Sequence, residues 1–594
     1  MAVIAPQGIG FVDKHDLNHT TVTPEDTEVI AGTIVARLRE RSTDLGELRG
    51  LVDALLAASG LAVQSPVDGQ TAALVQQRES LTAVAIRALM GEHLVGIRAD
   101  AYGVVGDGVT DDTAALHAAA AAAASAGLPL VIPGGYIIGI SSYQRFPAGL
   151  TLMTNGAKFT QLTPMGRAPV VGLGPRSTVV GGLYVDTLGG DECQGVHIAD
   201  APDVTIDHVE VTSAVPGAGK GNIRDNALRV INCPGLRIGR ARIKNYDWAA
   251  WFEESQDVHI GRIEVDTYSL GVRVRGGCSG LRIFSGWVHT AGPNSAYLPG
   301  YNGLLMENQS ESDDLRVENF MVQHAGEHGV RVSGFSWQSN ISFTNCVTRN
   351  VGGSGFKVLG GEAGEITFRN RGITFTNCKA IDSGSINQNC CGFLIQRAAR
   401  VTLIAPEVSR QNKTYSAVEG IRMSGVQYVT VESPRILDTH KFGIHIDEAS
   451  GNVQDVTFNN LHISSETGHG IYLQNPGVEF RDMRFQGFVE IWGTGESAGN
   501  GFYAGRYTSP EDNGTWRGMN SLDVTFSDST GASRQISTNS SEAALGAFVA
   551  DLTMWREAEA ATTWPPFAPG SMMLDRRIGA RLVRSNSGPW LSTI

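Results

Sequence analysis

The sequence predicts an all-β dominated fold whose main part is a parallel β-solenoid. Glycine contributes 72 of the 594 residues without the strict triplet of collagen, which indicates frequent tight turns and short strands. A phrase of Gly or Ala and four further residues, of which the first and third are apolar, recurs without any helical pattern between its copies. The copies begin at Gly195, Ala227, Ala249, Gly271, Gly303, Gly329, Gly355, Gly392, Gly420, Gly443 and Gly470. A shortest interval of 22 residues is typical of stacked coils that bury alternate side chains.

Composition excludes several classes of function. A formal net charge of −13 opposes broad contact with DNA phosphates, so we expect no nucleic-acid partner. The cysteines lie between Cys193 and Cys391 without the paired spacing of metal ligands, so we expect buried thiols and predict no metal or cofactor. The amino terminus lacks the pattern of an export signal. No apolar run is long enough to span a membrane, so we expect no contact with one.

Residues 1–95 are predicted to form a separate helical module. Apolar residues recur at alternating spacings of three and four between positions 25 and 59, with Arg41 as the one polar interruption. This pattern favours either self-association into a coiled coil or a helix packed within its own domain. A second helical pattern follows at 71–90.

Residues 99–139 are predicted to begin the solenoid with a turn, a helix and a strand. Asp111 or Asp112 is placed to cap an Ala-rich helix that ends at Gly127. Asp107 lies near these two acids, which makes calcium an alternative. Caps and turns account for each carboxylate without a metal, so no calcium site is predicted.

The β-helix is predicted to span residues 96–495, with coils from about 140 to about 490. The phrase FTNC occurs at 343–346 and again at 375–378, so identical side chains are expected to stack between coils. Gly or Ala begins each phrase because a side chain at that corner would crowd the neighbouring coil.

Residues 496–594 are predicted to form a small capping and trimerisation region. The patterns indicate a strand pair, a helix at 541–561 and a final β-hairpin unit. Such a region would cover the open end of the solenoid, which otherwise exposes unpaired backbone.

The stretch DAYGVVGDGVTDDTAAL, followed by LPLVIPGGYIIG, resembles the first segment of the pectate-lyase-like right-handed β-helix of bacteriophage tailspikes and related polysaccharide depolymerases. The ending PGSMMLDRRIGARLVRSNSGPWLST is similar to the unit that closes many phage spike and fibre chains. The resemblance implies a right-handed, single-stranded parallel β-helix. It does not extend to the catalytic quartet of polygalacturonase-type hydrolases, so no catalytic role is carried over from that group.

For function, the resemblance implies a homotrimeric tail spike that binds, and often depolymerises, a bacterial surface polysaccharide. Such a protein is made in the host cytoplasm and acts on the virion tail outside the host cell, with its amino-terminal module on a tail or baseplate protein. We expect glycoside hydrolysis rather than β-elimination, because carboxylates outnumber candidate lyase bases. The alternatives are a non-catalytic receptor-binding or structural tail protein and a secreted bacterial pectinolytic enzyme.

Alignment of the repeated phrases places a pair of carboxylates on the outer surface. The second and fourth positions face outward, since the first and third are apolar and point inward. Glu253 and Glu307 share the fourth-position column, with Arg275 between them. At ~4.8 Å per coil they are expected roughly 9–10 Å apart, at the upper edge of the ~6.5–9.5 Å that suits an inverting glycosidase. They are the predicted catalytic pair, and Asp247 and Asp225 are alternative partners.

The same region carries residue types that suit a carbohydrate. The intervals before Ala227 and after Gly271 are both 32 residues, so two longer loops are expected beside this surface. Aromatic faces stack on sugar rings, and arginines bind hydroxyl or uronate groups. The predicted substrate-binding residues are Trp248, Trp251, Arg273, Arg275, Tyr246, Tyr297 and Tyr301. Alternating Arg and Glu on an outward column is equally typical of a solvated face or a subunit contact.

Two histidine-containing pairs are weaker candidates. They are His445 with Asp447 and Glu327 with His328. Single histidines at coil corners are usually structural, so neither pair is assigned to the catalytic site.

Overall fold

The computed structural model describes residues 96–189, 194–215, 226–291, 301–308, 311–334, 338–361, 370–385, 390–411, 419–447, 451 and 453–465, and further strands between 469 and 593. The chain divides into two compact units, Met1–Gly96 and Ile97–Ile594. The predicted helical module at 1–95 lies outside the described residues. No helix in the described part of the chain is long and apolar enough to cross a membrane.

The described elements are one α-helix, α1 (Thr113–Ala126), a short 3-10 helix (Asp100–Tyr102) and many short strands. The first strands are β1 (Ile97–Arg98), β2 (Asp107–Asp111), β3 (Leu130–Val131), β4 (Ile137–Ile140), β5 (Gln144–Phe146), β6 (Thr151–Met153), β7 (Lys158–Gln161), β8 (Pro169–Leu173), β9 (Thr178–Val180), β10 (Leu183–Thr187), β11 (Gln194–Ala199), β12 (Thr205–Ser213), β13 (Asn226–Ile231), β14 (Arg237–Lys244), β15 (Trp248–Glu253) and β16 (His259–Tyr268). The middle strands are β17 (Leu270–Arg275), β18 (Arg282–Ile283), β19 (Gly286–Ala291), β20 (Leu304–Asn308), β21 (Ser312–Glu318), β22 (Phe320–Gln323), β23 (Val330–Gly334), β24 (Gln338–Thr344), β25 (Val347–Arg349), β26 (Phe356–Gly360), β27 (Asn370–Thr376), β28 (Lys379–Ile381), β29 (Cys391–Ile404), β30 (Glu407–Ser409), β31 (Glu419–Glu432) and β32 (Arg435–Thr439). The last strands are β33 (Phe442–Asp447), β34 (Val453–Asn459), β35 (His462–Ser465), β36 (His469–Asn475), β37 (Phe480–Gln486), β38 (Glu490–Gly493), β39 (Phe502–Arg506), β40 (Trp516–Arg517), β41 (Thr525–Phe526), β42 (Ile536–Thr538), β43 (Leu552–Met554), β44 (Met572–Asp575), β45 (Ala580–Arg584) and β46 (Trp590–Thr593).

The strands stack in three parallel ladders, here called faces A, B and C. Face A contains β5, β8, β11, β13, β15, β17, β20, β23, β26, β33, β36, β39, β42 and the first halves of β29 and β31. Face B begins with β1, β3, β6 and β9, continues through the first parts of β12, β14 and β16, and then contains β18, β21, β24, β27, the second halves of β29 and β31, β34, β37 and β40. Face C begins with β2, β4, β7 and β10, continues through the later parts of β12, β14 and β16, and then contains β19, β22, β25, β28, β30, β32, β35, β38, β41 and β43. Each coil therefore contributes one strand to each face, which confirms the predicted β-helix.

Identical side chains stack along the inside of the coils. The rings of Phe343 and Phe375 lie 4.9 Å apart at an interplanar angle of 11°. On the next corner, Asn377 donates a side-chain hydrogen bond to Asn345 at 3.4 Å. The two FTNC phrases therefore form the predicted ladder. The six cysteines that the structure describes are all buried free thiols, as expected: Cys233, Cys278, Cys346, Cys378, Cys390 and Cys391.

The glycines that begin the repeated phrases leave no room for a side chain. A Cβ atom at Gly303 would lie 2.7 Å from the carbonyl oxygen of Gly329 in the next coil. At Gly271 it would lie 2.8 Å from Val288 Cγ1, inside the same coil. Contacts this short do not occur for a real Cβ, so these two corners require glycine for steric reasons, in line with the crowding that the sequence predicted.

The first helix follows the prediction except in its cap. α1 ends before Gly127, which has a left-handed φ of 65°. Asp112 occupies the N-cap position, but its carboxylate accepts hydrogen bonds from the backbone of Val105 and Gly106 in the preceding turn. Asp111 instead accepts one from Thr113 N at 3.1 Å. The acids thus fasten the turn to the helix.

The coils continue beyond the predicted boundary at residue 495. Strands β41 and β42 were expected to pair with each other, yet each pairs in parallel with the preceding coil, on β38 and β39. Part of the expected helix at 541–561 is the strand β43, which pairs in parallel with β44. The final hairpin is confirmed, because β44, β45 and β46 are antiparallel.

Candidate functional site

Face A displays the two outward columns that the repeat alignment predicts. Strand pairing places these fourth-position residues side by side: Ile231, Glu253, Arg275 and Glu307. The same pairings align these second-position residues: Arg229, Trp251, Arg273 and Leu305. The residues between them point inward and are buried: Val230, Phe252, Val274 and Met306. The predicted register is therefore confirmed, and in a strand the register decides which side chains share a face.

Trp251 is the centre of a stack of aromatic and guanidinium groups. The guanidinium carbon of Arg273 lies 4.6 Å from its ring centroid, that of Arg229 5.0 Å and that of Arg275 5.6 Å. The ring of Trp248 lies 5.4 Å from that of Trp251. The arginines of the two flanking coils hold the indole in place and leave it 4% exposed. We call these five residues the arginine–tryptophan strip.

Both predicted catalytic carboxylates lie beside the strip and pair with its arginines. Glu253 Oε1 is 3.3 Å from Arg275 Nη1, and Glu307 accepts a hydrogen bond from Arg273 Nη2. The Glu253 and Glu307 side chains are 18% and 30% exposed, so both remain reachable from solvent.

Two of the predicted site residues point into the coil rather than away from it. Tyr246 is 1% exposed, and its hydroxyl lies 2.7 Å from Thr187 Oγ1. Asp247 is 3% exposed and accepts a hydrogen bond from Ser269 Oγ at 2.9 Å. Both follow the end of β14, where the chain turns into the next strand, so the alternation of a strand does not set their direction. Their burial argues against direct contact with a polysaccharide.

Of the two remaining predicted tyrosines, one lies within the described residues. Tyr297 lies outside the described residues. Tyr301 is partly exposed near Asp247. Burial and the charge of Asp247 raise the pKa of Tyr301, against the effect of a hydrogen bond with Ser269. Its hydroxyl therefore stays protonated at neutral pH and is able to donate a hydrogen bond.

Beyond the strip the second-position column carries further basic side chains, with Leu305 and Leu394 between them. Arg331 and Lys357 follow on β23 and β26, and Arg422 follows on β31. Together with Arg229 and Arg273 they form one outer line on a protein whose formal net charge is −13. Such a line attracts anionic groups to face A.

A buried polar cluster adjoins this column at the turn before β23. Glu327 and His328 are 5% and 2% exposed. Asn302 donates a hydrogen bond to Glu327 Oε2 at 3.1 Å, and Arg331 Nη1 lies 3.3 Å from the same oxygen. Burial lowers the pKa of His328 to about 4, although Glu327 acts in the opposite direction. His328 is therefore neutral at neutral pH.

A second cluster contains an acid that the sequence reasoning missed. Glu419 is 2% exposed, and its Oε2 lies 3.1 Å from His445 Nδ1. Arg422 donates a hydrogen bond to Asp447 Oδ2 at 2.6 Å in the same cluster. Burial acts to raise the pKa of Glu419, but His445 and Arg422 outweigh it and lower the pKa overall. The available signal was position, since Glu419 directly precedes the glycine of its phrase, as the histidine of the first cluster does.

We expect His328 to make the fold lose stability as the pH falls from 6.5 towards 4. Its pKa of about 4 in the fold lies below its ordinary value of 6.5. The unfolded chain therefore binds more protons in this window, and stability rises with pH across it. His328→Asn should remove on the order of 3 kcal/mol of this pH dependence. Thermal unfolding midpoints between pH 7 and pH 4 measure the effect, and an equal slope in the variant would contradict it.

Three ladders of stacked coils with a charged and aromatic outer face define a parallel β-helix protein. Residues 302–485 match the family described as "Right handed beta helix region", which confirms the resemblance in fold and handedness. A search of curated proteins finds no match to this sequence.

Several solved structures are similar to this chain. The pre-mature gene product 12 of bacteriophage phi29 shares 14% identity, with 79% of this chain and 67% of that chain covered and a TM-score of 0.44. Tailspike protein 3 of bacteriophage CBA120 shares 12% identity, with 93% and 76% covered and a TM-score of 0.31. The GH87 α-1,3-glucanase of Streptomyces thermodiastaticus shares 12% identity, with 72% and 68% covered and a TM-score of 0.33. These similarities concern the fold and not the chemistry of the site.

Proposed function

We propose that this protein is a tail spike that binds a bacterial surface polysaccharide on face A and cleaves it. The arginine–tryptophan strip, with a carboxylate at each side, is the observation that carries this proposal. Aromatic rings stack on the C–H surfaces of sugars, and guanidinium groups bind hydroxyl and acidic substituents. In this proposal the chain acts as a homotrimer, and residues 1–95 attach it to a tail or baseplate protein.

For cleavage, we propose that Glu253 and Glu307 act as the acid and base of an inverting glycosidase. Their positions two coils apart correspond to roughly 9–10 Å at ~4.8 Å per coil. One carboxyl would protonate the leaving oxygen while the other activates a water molecule. An acidic sugar would compete with Glu253 for Arg275, and this competition would release Glu253 from its ion pair.

The ion pairs of both carboxylates also support a second candidate, a receptor-binding spike without catalysis. Each carboxylate is held by a guanidinium, so a substrate would have to displace that partner before the carboxylate could take part in catalysis. Incubation with purified bacterial surface polysaccharides separates the candidates. New reducing ends indicate hydrolysis, absorbance of unsaturated uronate indicates β-elimination, and binding without either product indicates a spike that only binds.

The strip should dominate polysaccharide binding. Trp251→Ala is expected to weaken binding roughly 30-fold, about 2 kcal/mol, because it removes the ring that holds the arginines of the strip in position for the polysaccharide. Trp287→Ala is the matched control, since Trp287 lies on face C and is 37% exposed. Isothermal titration with the bound polysaccharide measures both variants. Equal losses of affinity in the two variants would contradict the assignment of the binding site to face A.

A further inference from the structure

The basic column has an unusual pair of neighbours beyond the strip. Arg331 on β23 and Lys357 on β26 are directly opposite each other in adjacent coils. The amine of Lys357 lies 3.2 Å from Nε2 of His328. Neither position is needed for the strip described above, so these two cations call for a separate explanation.

The hydrogen bonds of His328 identify which of its nitrogen atoms carries the proton. Its Nδ1 lies 2.9 Å from the backbone nitrogen of Ser354, which is always a donor, so Nδ1 must accept. In the neutral ring the proton is then on Nε2. The Nε2–H group has Glu327 Oε1 at 3.3 Å as an acceptor. Nε2 therefore offers Lys357 no lone pair, and an ammonium group at Lys357 gains no hydrogen bond from this ring.

The other groups around Lys357 also make its ammonium form less favourable. Arg331 carries a positive charge in the neighbouring coil, and Glu327 is already paired with Arg331 and Asn302. On the other side lies the next coil, with the buried thiols of Cys390 and Cys391. Burial and then Arg331 lower the pKa of Lys357, with Glu327 and the two thiols acting in the opposite direction.

We propose that Arg331 and Lys357 form a subsite for an anionic group, and that Lys357 takes up a proton when the anion binds. The subsite would hold a carboxylate, sulfate or phosphate carried by the polysaccharide, and in this respect it rests on the proposed function. The anion supplies the acceptor that the ammonium form of Lys357 lacks. Arg331 contributes a permanent guanidinium that attracts the anion first.

Proton uptake makes the affinity depend on pH in a defined direction. The anion binds best to charged Lys357, so affinity falls as the pH rises above the pKa of the unoccupied amine. One coupled proton permits at most about a tenfold fall per pH unit. Arginine keeps its charge throughout this range, so Lys357→Arg should preserve the affinity at high pH and flatten the profile.

The first test compares polysaccharides of different charge as the pH is raised. Binding of polygalacturonate, dextran sulfate and neutral dextran is measured for the wild-type protein, Lys357→Arg and Lys357→Met. We expect a wild-type affinity for a polyanion that falls with pH, a flat profile for both variants, and weaker binding by Lys357→Met. The preferred polyanion distinguishes a carboxylate from a sulfate ligand. A wild-type profile unchanged in Lys357→Arg would overturn the proposal.

The second test does not need a polysaccharide. Acetylation of individual lysines is followed by mass spectrometry against pH, with and without inorganic sulfate. Lys379, which is on face C and 3.0 Å from Glu407, is the matched control. Lys357 should titrate at lower pH than Lys379 and shift upward with sulfate. Equal titration would overturn the subsite, whereas a sulfate shift in a protein that binds no polysaccharide would contradict only the proposed function.

Discussion

Replacing either Glu253 or Glu307 with glutamine is expected to lower the rate of polysaccharide cleavage by a factor of about 10²–10⁴. Glutamine keeps the size of the side chain but neither donates a carboxyl proton nor accepts one from water. The proposed trimer and the proposed binding of polysaccharide should remain, because the strip itself is unchanged. Reducing-end formation measures the rate, and light scattering measures the mass of the assembly.

Glu264→Gln provides the matched control for this experiment. Glu264 is also paired with an arginine, with its Oε2 at 2.6 Å from Arg240 Nη2, but it lies on face C. A loss of activity in this variant would indicate a general effect of broken ion pairs. Full activity of both Glu253→Gln and Glu307→Gln would remove the catalytic assignment and leave the binding-only candidate.

Phe375→Ala is expected to lower the free energy of unfolding by about 3–5 kcal/mol. Phe375 is 1% exposed and stacks on Phe343 in the preceding coil. Its ring also makes edge contacts with Phe356 at 5.6 Å and Phe393 at 5.8 Å. Removing it would leave a cavity that interrupts the internal stack of successive coils. The midpoint of denaturant unfolding measures the change.

Phe284→Ala is the control for the internal stack. Phe284 is 41% exposed, so its removal leaves no cavity and should change the unfolding midpoint little. If both phenylalanine variants unfolded at the same denaturant concentration, the stack would not be the source of stability. The two substitutions remove the same number of atoms, so the comparison isolates burial.

Much of the fold was predictable because each coil repeats a local rule. Apolar residues alternate along each face A strand, and glycine or alanine marks the corner, so the phrases could be aligned without any structure. That alignment placed Glu253 opposite Arg275 and Arg275 opposite Glu307, as the strand pairing does. The rule failed where the repeat is weak, after residue 495, because there the strands are short and a single pattern suits both hairpins and coils.

The sequence predicted which residues share an outward column of face A, but not which side chains contact each other. Tyr246 was assigned to the outer surface, although it follows a strand end and its hydroxyl is held inside the coil by Thr187. Glu419 was missed, since a lone acid before a glycine is typical of a turn. Its place in a buried charged cluster becomes evident only from the structure, in which His445 of the next coil lies beside it.

The winding of the chain into coils and the set of outward-pointing side chains can be derived from the amino-acid order alone, because both follow from alternation within single strands and from steric limits at glycine corners. The folded molecule is needed to learn which of those side chains form ion pairs, which are buried and which remain reachable. Arg273 meets Glu307 across 34 positions, and His445 meets Glu419 across 26. The physical reason is that charge pairing and burial depend on the neighbouring coil, whose distance along the chain varies with the length of each loop.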